Sequence, residues 1–587
     1  MVDIDILKQT LTPAQVLEPG TPQYERPVSD GSTAFPASRD STPANHIGGS
    51  ILRRQNPQVF IGNLNYRLTT PVVVVQAKST NDVVSTIDFA RENDLRLTVK
   101  NGGHSYMGYC LNLGGIVLDL SLMNTCHIDY DKMLIRMDGG LVWKDVYYKY
   151  LKDKRNIVIG GQCPTVGVSG FTLGAGLSPF SRSYGLGCDN LLEMTVVTWK
   201  GEVITVSRED KDEEKRELFW ALAGGGGGNF GVTVSLTSRM HKLRDDEGKV
   251  VCGQLQWNLP QQKEDFEKMM NVFNTNKCPA ELTIDALWSH TKNKQQTGGM
   301  TVIYNGGMEK AQKALEPLLA FEPAVNTLKE MAWTDWVHQA EGWDPKSQVY
   351  HHHASFIFAE GAITDEVTTK ISRLIEEALH VVDATAENLV NDPKCHILWD
   401  HIGARTEAVA PDATPFPWRK GHYVTTIKVQ WTDKSKADDI MKFVARCKKE
   451  LLPHAIEQKA AYINYIDGTV RNWQEAYYGN NYPRLQRIKT KWDPKNFFRN
   501  WQSIQPLTDE SETFPISDIT VGAPISGEVS NLPSDEKVEQ WWKHCAPLLS
   551  PDDLGSPKTN EEVFMTGAKL RKSRLKQIFQ RGGQLCL

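Results

Sequence analysis

The sequence predicts an α+β protein, and three observations carry that expectation. Pro71 to Gln76 reads as a strand, Val83 to Glu92 as an amphipathic helix started at Thr80-Asn-Asp82, and Leu95 to Val99 as a second strand. Three glycine-rich stretches punctuate the chain beyond them: Asn101-Gly-Gly-His104, Gly160 to Gly187, and Gly224 to Gly228. From residue 250 to about 455 strands and helices alternate in an order that suits an antiparallel sheet backed by helices.

Composition narrows the class. The 587 residues, 40% hydrophobic and 23% charged, leave room for two or more domains with cores of their own. A net charge of −5 offers no basic excess to neutralise phosphates, which argues against nucleic-acid binding. No apolar run approaches the roughly 20 residues of a membrane helix, and Pro71 to Val75 reads as a buried strand. The N-terminal residues carry acids and prolines where a secretory signal has a basic start and an apolar core, so an intracellular, cytoplasmic protein is expected. The ten cysteines are scattered without paired short spacings, as free thiols are.

Taken in order, residues 1–45 are rich in Pro, Ser, Thr and Asp and predict an irregular arm. Within 46–245, Gly115 to Leu120 and Met133 to Met137 read as strands and Val142 to Leu151 as a helix. Leu191 to Thr198 and Glu202 to Val206 form a hairpin-like pair, and a short helix at Leu218 to Leu222 leads into the third glycine run. That run is bounded by Phe219, Trp220 and Phe230, and a loop clamped by aromatics suits a ligand cradle better than a linker. A charged stretch, His241 to Asp246, marks a boundary to 246–455. There Val251 to Trp257, Gly299 to Tyr304, Val349 to Phe358, Cys395 to Trp399 and Tyr423 to Trp431 read as strands. Gln262 to Phe273, Lys310 to Leu318, Thr364 to Leu379 and Ala437 to Leu451 read as helices. Residues 456–506 follow, and 507–587 form an extension ending in a basic amphipathic run, Glu561 to Gln580. No internal repeat is visible.

Cys163 lies at the mouth of the longest glycine-rich stretch, and backbone without Cβ atoms approaches a flat ligand closely and offers it N–H groups. His104 closes the first glycine pair. The segments GGHSY, GGQCPTVG, GGGGGNFGV and YINYIDG with YYGNN, in this order over residues 50–506, resemble the berberine bridge enzyme-like flavoproteins. The resemblance implies a two-lobed FAD-binding domain of the PCMH type at 46–245, completed by 456–506, and an α+β substrate-binding domain at 246–455. In that family the matching histidine and cysteine are both bonded to the flavin, which assigns covalent FAD to His104 and Cys163. It also places Lys100, Asn101, Gly102, Gly103, Ser105 and Gly108 around the cofactor. Thr165, Val166, Gly167, Gly170, Gly174 and Gly176 join them from the cysteine stretch, with Gly226, Asn229, Gly231 and Val232 from the third glycine run and Asn464 and Tyr465 from the return segment.

Oxidation of an alcohol or amine carbon needs a base as the hydride leaves. Tyr465 stands where the family has a tyrosine over the flavin, and a phenol held below its ordinary value of about 10 by nearby cations would serve. A buried, hydrogen-bonded tyrosine that only packs is the alternative. Tyr106, two residues after His104, is a second substrate contact. The chain departs from its plant relatives with Ser169 and Phe171 in place of their VGGH pattern, with Leu177 where a partner tyrosine stands, and with Thr425 where some relatives place a carboxylate. Replacement bases are His422, Tyr423 or a histidine of the Tyr350-His351-His352-His353 strand. On a strand only His351 and His353 share a face, so no metal site is expected. Val166 falls at the family's gate residue, where valine accompanies oxygen access. The resemblance therefore implies an FAD-dependent oxidase using O2 on a small-molecule substrate, with a secondary-metabolite intermediate first, a carbohydrate second, and a redox-neutral cyclase or binding protein as the reading from another class.

Overall fold

The computed structural model describes residues 4–11, 15–18, 63–66, 69, 71–151, 155–290, 296–340, 349–382 and 394–507. The basic run at 561–580 and the rest of the extension beyond residue 507 lie outside the described residues, as do Cys545 and Cys586.

The first sheet contains Val16–Leu17 (β1), Val73–Gln76 (β2), Leu97–Lys100 (β3) and Ile116–Asp119 (β4), in the order β1-β2-β4-β3. β2, β4 and β3 run parallel, with the helix Thr80–Glu92 as crossover. Ser79 Oγ accepts from the Asp82 N–H while the Asp82 carboxylate accepts from the Ser79 N–H, so two otherwise unpaired donors at the helix start are satisfied. The N-terminal arm is less irregular than its composition suggests. Ile4–Thr10 is helical and β1 pairs antiparallel with β2, because Leu7, Leu11 and Val16 bury against Val73 and Val75.

The second sheet is antiparallel. Cys126–Asp129 (β5), Leu134–Asp138 (β6), Asn156–Val158 (β7), Leu191–Val197 (β8), Val203–Ser207 (β9) and Val232–Lys242 (β10) take the order β5-β6-β10-β8-β9, with β7 also on β10. β8 and β9 form the expected hairpin. The helix expected at Val142 to Leu151 is instead one α-turn, Trp143–Asp145, followed by the π-helical Val146–Tyr150. Val197, Val232 and Val234 share a core with Val73, Val75 and Leu118, which joins the two sheets.

The third sheet has eight strands: Lys249–Leu259 (β11), Leu282–His290 (β12), Gln296–Tyr304 (β13), Val325–Asn326 (β14), Lys329–Ala332 (β15), Tyr350–Ala359 (β16), Lys394–His401 (β17) and Gly421–Trp431 (β18). Their order is β14-β11-β13-β12-β17-β18-β16, antiparallel throughout, with β15 also on β11. Helices Lys263–Thr275, Met308–Leu319, Asp365–Val381 and Ala437–Leu451 pack on one face over Trp257, Trp288 and Trp399. Successive strand residues point to opposite faces. Cys395, Ile397 and Trp399 therefore enter the helix-side core, while Leu398 and Asp400 look into a cavity shared with the first two sheets.

A buried arginine fastens these parts. Arg182, 2% exposed, donates to the carbonyls of Leu282 (2.7 Å), Ile402 (2.6 Å), Cys278 (3.0 Å) and Pro279 (3.4 Å). Arg182→Ala strands several buried acceptors and lowers stability by about 3–5 kcal/mol, as urea denaturation will measure.

Residues 456–507 return across the first domain. Lys489, fully buried, donates to Asn229 O (2.6 Å), Phe498 O (2.7 Å) and Asp493 Oδ2 (2.7 Å). Asn229 Oδ1 accepts from the Ile504 N–H, and its amide bridges the carbonyls of Gly225 and Gly226. The third glycine run is thus pinned from the far end of the chain. The eight cysteines of the described residues form no disulfide. Among those residues no helix is long and apolar enough to cross a membrane, and no cluster suits a metal ion.

Candidate active site

The loop after β3 and the loop around Cys163 lock together through glycine. A Cβ at Gly102 would lie 2.6 Å from the Gly167 nitrogen and the Thr165 oxygen, and one at Gly167 would lie 2.5 Å from the Asn101 side chain. Only hydrogen at these positions lets the two backbones touch. Asn101 adds side-chain bonds to Leu141 O (3.2 Å) and Ser169 Oγ (3.0 Å). Gly102→Ala should cost about 1–3 kcal/mol and lower the flavin absorbance per mole of purified protein, checked by thermal melting and the visible spectrum.

This contact brings His104 and Cys163, 59 residues apart in sequence, to one hydroxyl. His104 Nε2 is 2.9 Å from Thr165 Oγ1, and Cys163 Sγ is 3.6 Å from the same atom. Burial, with Lys428 and Lys100 adding to it, lowers the His104 imidazole to about 4, so it is neutral and carries a lone pair at physiological pH. Both residues line a cavity of about 520 Å³.

The walls of that cavity come from four parts of the chain. Asn101 to Tyr106 and Gly161 to Cys163 form one side, Gly226 to Asn229 and Gly231 another, and Tyr462 to Ile466 a third. The sheet of the second domain supplies Asp285, Thr301, Leu398 and Asp400. Tyr106 stacks on His353 with ring centroids 3.6 Å apart, and Tyr465 lies 5.9 Å from Tyr106 and 5.2 Å from Tyr462. Tyr465 and Asp400 both line the cavity, and the carboxylate raises the phenol, while Asp400 Oδ2 is buried without a hydrogen-bond partner among the described residues.

Electrostatics at Tyr465 differ from the sequence expectation. Burial, then Asp400, Tyr106 and Tyr462, raise its phenol well above 10, because carboxyl and phenol groups surround it instead of cations. A neutral phenol of this kind donates a hydrogen bond to a carboxylate and relays a proton; it does not wait as a phenolate. Asp400 is raised well above the ordinary carboxylate range, by burial first and by Asp285 second.

Of the other sequence-derived residues, Ser105, Val166, Gly170, Gly231 and Asn464 line the cavity, and Gly103 does so at a φ of 73°. Lys100 does not: it is buried in an ion pair with Asp119 at 3.2 Å. Thr165 bridges His104 and Cys163. Gly108 packs on the Tyr66 ring, Gly174 on the Asn464 amide and Gly176 on the Phe171 ring, and Val232 belongs to the core between the sheets. His422 and Tyr423 are outside the cavity. Tyr423 points to the helix side, against Phe273 and Trp399, and His422 bonds His401 (3.2 Å) and Glu407 (3.4 Å). Thr425 shares the face of Tyr423, opposite Phe356 and Trp399. His351 and His353 do share a face, with ring centroids 5.8 Å apart.

Sequence reasoning missed Asp285 and Asp400. Asp285 lies on β12, a strand not anticipated, and Asp400 one residue past the end of an expected strand. A signal existed in both: LTIDALW and CHILWD place one acid in an otherwise apolar, alternating run.

The cavity suits FAD by its own features. Asn101 Oδ1 and Thr233 Oγ1 are buried cavity-lining atoms without hydrogen-bond partners among the described residues. A Cβ built at Gly170 or Gly228 would meet nothing within 4 Å, so these backbones border open space a flat ring system can fill.

Comparison with known proteins agrees. The FAD binding domain family model matches residues 71–207, and the Berberine and berberine like model matches residues 461–505. An uncharacterized FAD-linked oxidoreductase, YgaK of Bacillus subtilis, is 30% identical over 479 residues, covering 78% of this chain and 98% of that protein. Reticuline oxidase of Eschscholzia californica is 25% identical, over 81% of this chain and 90% of its own. The solved structure of berberine bridge enzyme from Eschscholzia californica superposes with a TM-score of 0.67 at 21% identity, covering 81% of this chain and 97% of that one. A Bermuda grass pollen isoallergen gives 0.69 at 21% identity, over 86% of this chain and all of that one.

Proposed function

This chain belongs to the berberine bridge enzyme-like FAD-linked oxidoreductases, and we propose that within that family it is an oxidase with bicovalently held FAD. The flavin supplies the two-electron acceptor that the polypeptide lacks. His104 and Cys163 would hold it, with Asn101, Gly226 and Asn229 beside it. O2 takes up the two electrons and two protons and leaves as hydrogen peroxide, reaching the site past Val166.

One observation carries the proposal: the Tyr465–Asp400 pair stands in the same cavity as His104 and Cys163. A substrate O–H bonded to Tyr465 loses its proton to that hydroxyl as Tyr465 passes its own to Asp400, while the hydride leaves the neighbouring carbon. Tyr106, Tyr462, Leu177 and Leu398 give aromatic and apolar walls that suit a secondary-metabolite intermediate. Asp285, Asp400 and Thr301 accept hydrogen bonds from hydroxyl groups and favour a carbohydrate as the second reading.

Anaerobic mixing with a panel of aromatic alcohols, polyketide- and terpenoid-type alcohols and sugars tests this. Bleaching of the yellow colour, with peroxide formed on admitting air, is expected for one class. Product formed without bleaching overturns it in favour of a redox-neutral reaction.

A further inference from the structure

Two acidic side chains come together from neighbouring strands on the cavity wall. The β12–β17 ladder ends at Ala286 opposite Trp399; the next residues beyond it are Asp285 and Asp400, and the Asp285 carboxylate reaches across to the His401 backbone N–H. Like charges brought together across an antiparallel pair repel. Both aspartates line the cavity, and Asp400 is 8% exposed. We infer that Asp285 and Asp400 hold one proton between them, and that Asp285 is the positioning residue that carries this proton when Asp400 is the carboxylate that accepts the substrate's proton. This role for Asp285 rests on the proposed Tyr465–Asp400 relay and adds a partner to it.

The surroundings leave the pair no easier solution. Asp285 Oδ1 accepts the His401 backbone N–H at 3.3 Å, while Asp400 Oδ2 has no hydrogen-bond partner among the described residues. The groups that face Asp400 from the other walls are Tyr465 on the return segment and Tyr106 on the His104 loop, with Tyr462 behind them. From its own sheet the facing groups are Asp285 and, beyond it in register, Thr301. All are acidic or neutral, and none supplies a countercharge. Burial raises both carboxyls, and the charge of Asp285 raises Asp400 further. Two buried carboxyls this close titrate as a unit: one is carboxylate and one is carboxylic acid over a range that reaches neutral pH. The first accepts a proton and the second donates a hydrogen bond to a substrate oxygen.

A folded-state value above the unfolded one means that the pair's contribution to stability is fully present below the unfolded value of about 4 and is lost as pH rises through the folded values. The stability of the wild type therefore falls over that range, and Asp285→Asn, which keeps an acceptor for the His401 N–H, flattens the fall.

Infrared titration of the substrate-free holoprotein, labelled with ¹³C-aspartate, reads the proton directly and needs no turnover. The wild type should keep a protonated-carboxyl carbonyl band at neutral pH. In Asp285→Asn the midpoint of the remaining carboxyl should drop by about one pH unit or more, and Asp400→Asn should show the same drop for Asp285. A wild type without the band at neutral pH, or midpoints unmoved in both variants, overturns the shared proton. Loss of activity in Asp400→Asn with unmoved midpoints leaves Asp400 as base and removes only Asp285's role.

Discussion

A His104→Ala, Cys163→Ser double variant leaves a colourless pellet on acid precipitation, whereas the wild-type pellet stays yellow. The loss is all-or-none because acid unfolds the chain and strips every non-covalent contact, so only covalent bonds keep the flavin with the protein. The geometry supports two separate points of attachment. His104 and Cys163 sit on different loops, held together by the Gly102–Gly167 contact and joined through Thr165 Oγ1. Each single variant should therefore keep a yellow pellet. A wild-type pellet that washes free of colour would sink covalent attachment while leaving the family intact.

Asp400→Asn, assayed on whichever compound bleaches the wild type, lowers the rate of flavin reduction about 10²–10⁴-fold, with flavin content unchanged. Asparagine keeps the shape and a side-chain oxygen in the cavity and removes the proton acceptor, so a purely structural role predicts little change. Tyr465→Phe, which breaks the relay but leaves the carboxyl, should fall between the two. The pH dependence has a defined sign. A base that must be ionised, and that is raised by burial and by Asp285, gives a wild-type rate that climbs as pH rises through the carboxyl titration. Stopped-flow reduction across pH reads both effects, and an Asp400→Asn rate near that of the wild type removes this aspartate from the mechanism.

Much of the cofactor side was legible in the sequence because glycine spacing and local motifs encode it directly. GGH and CPTVG lie at loops where backbone must touch backbone, and a sequence states the absence of a side chain without ambiguity. The alternating strands and amphipathic helices of 250–455 were equally local, with Ala437–Leu451 found to the residue. The substrate side was harder. Its residues arrive one per strand, and which face each strand presents depends on register across the whole sheet. His422 and Tyr423 were reasonable by proximity to the motif, yet strand alternation sends Tyr423 to the helices, and His422 lies outside the cavity. The sign of the shift at Tyr465 was likewise hidden, since it depends on burial and on the carboxylate that β17 brings to it.

The sequence alone therefore determined the fold class and the glycine-rich loops that line the cavity, which follow from residue type and short-range pattern, while His104 and Cys163 were singled out by the family resemblance. Only the tertiary structure decided that Asp285 and Asp400 meet at the end of the β12–β17 ladder in the same cavity as Tyr465. Cross-strand pairing sets that meeting, and the burial that comes with it turns two ordinary aspartates into a pair whose proton affinity no local pattern records.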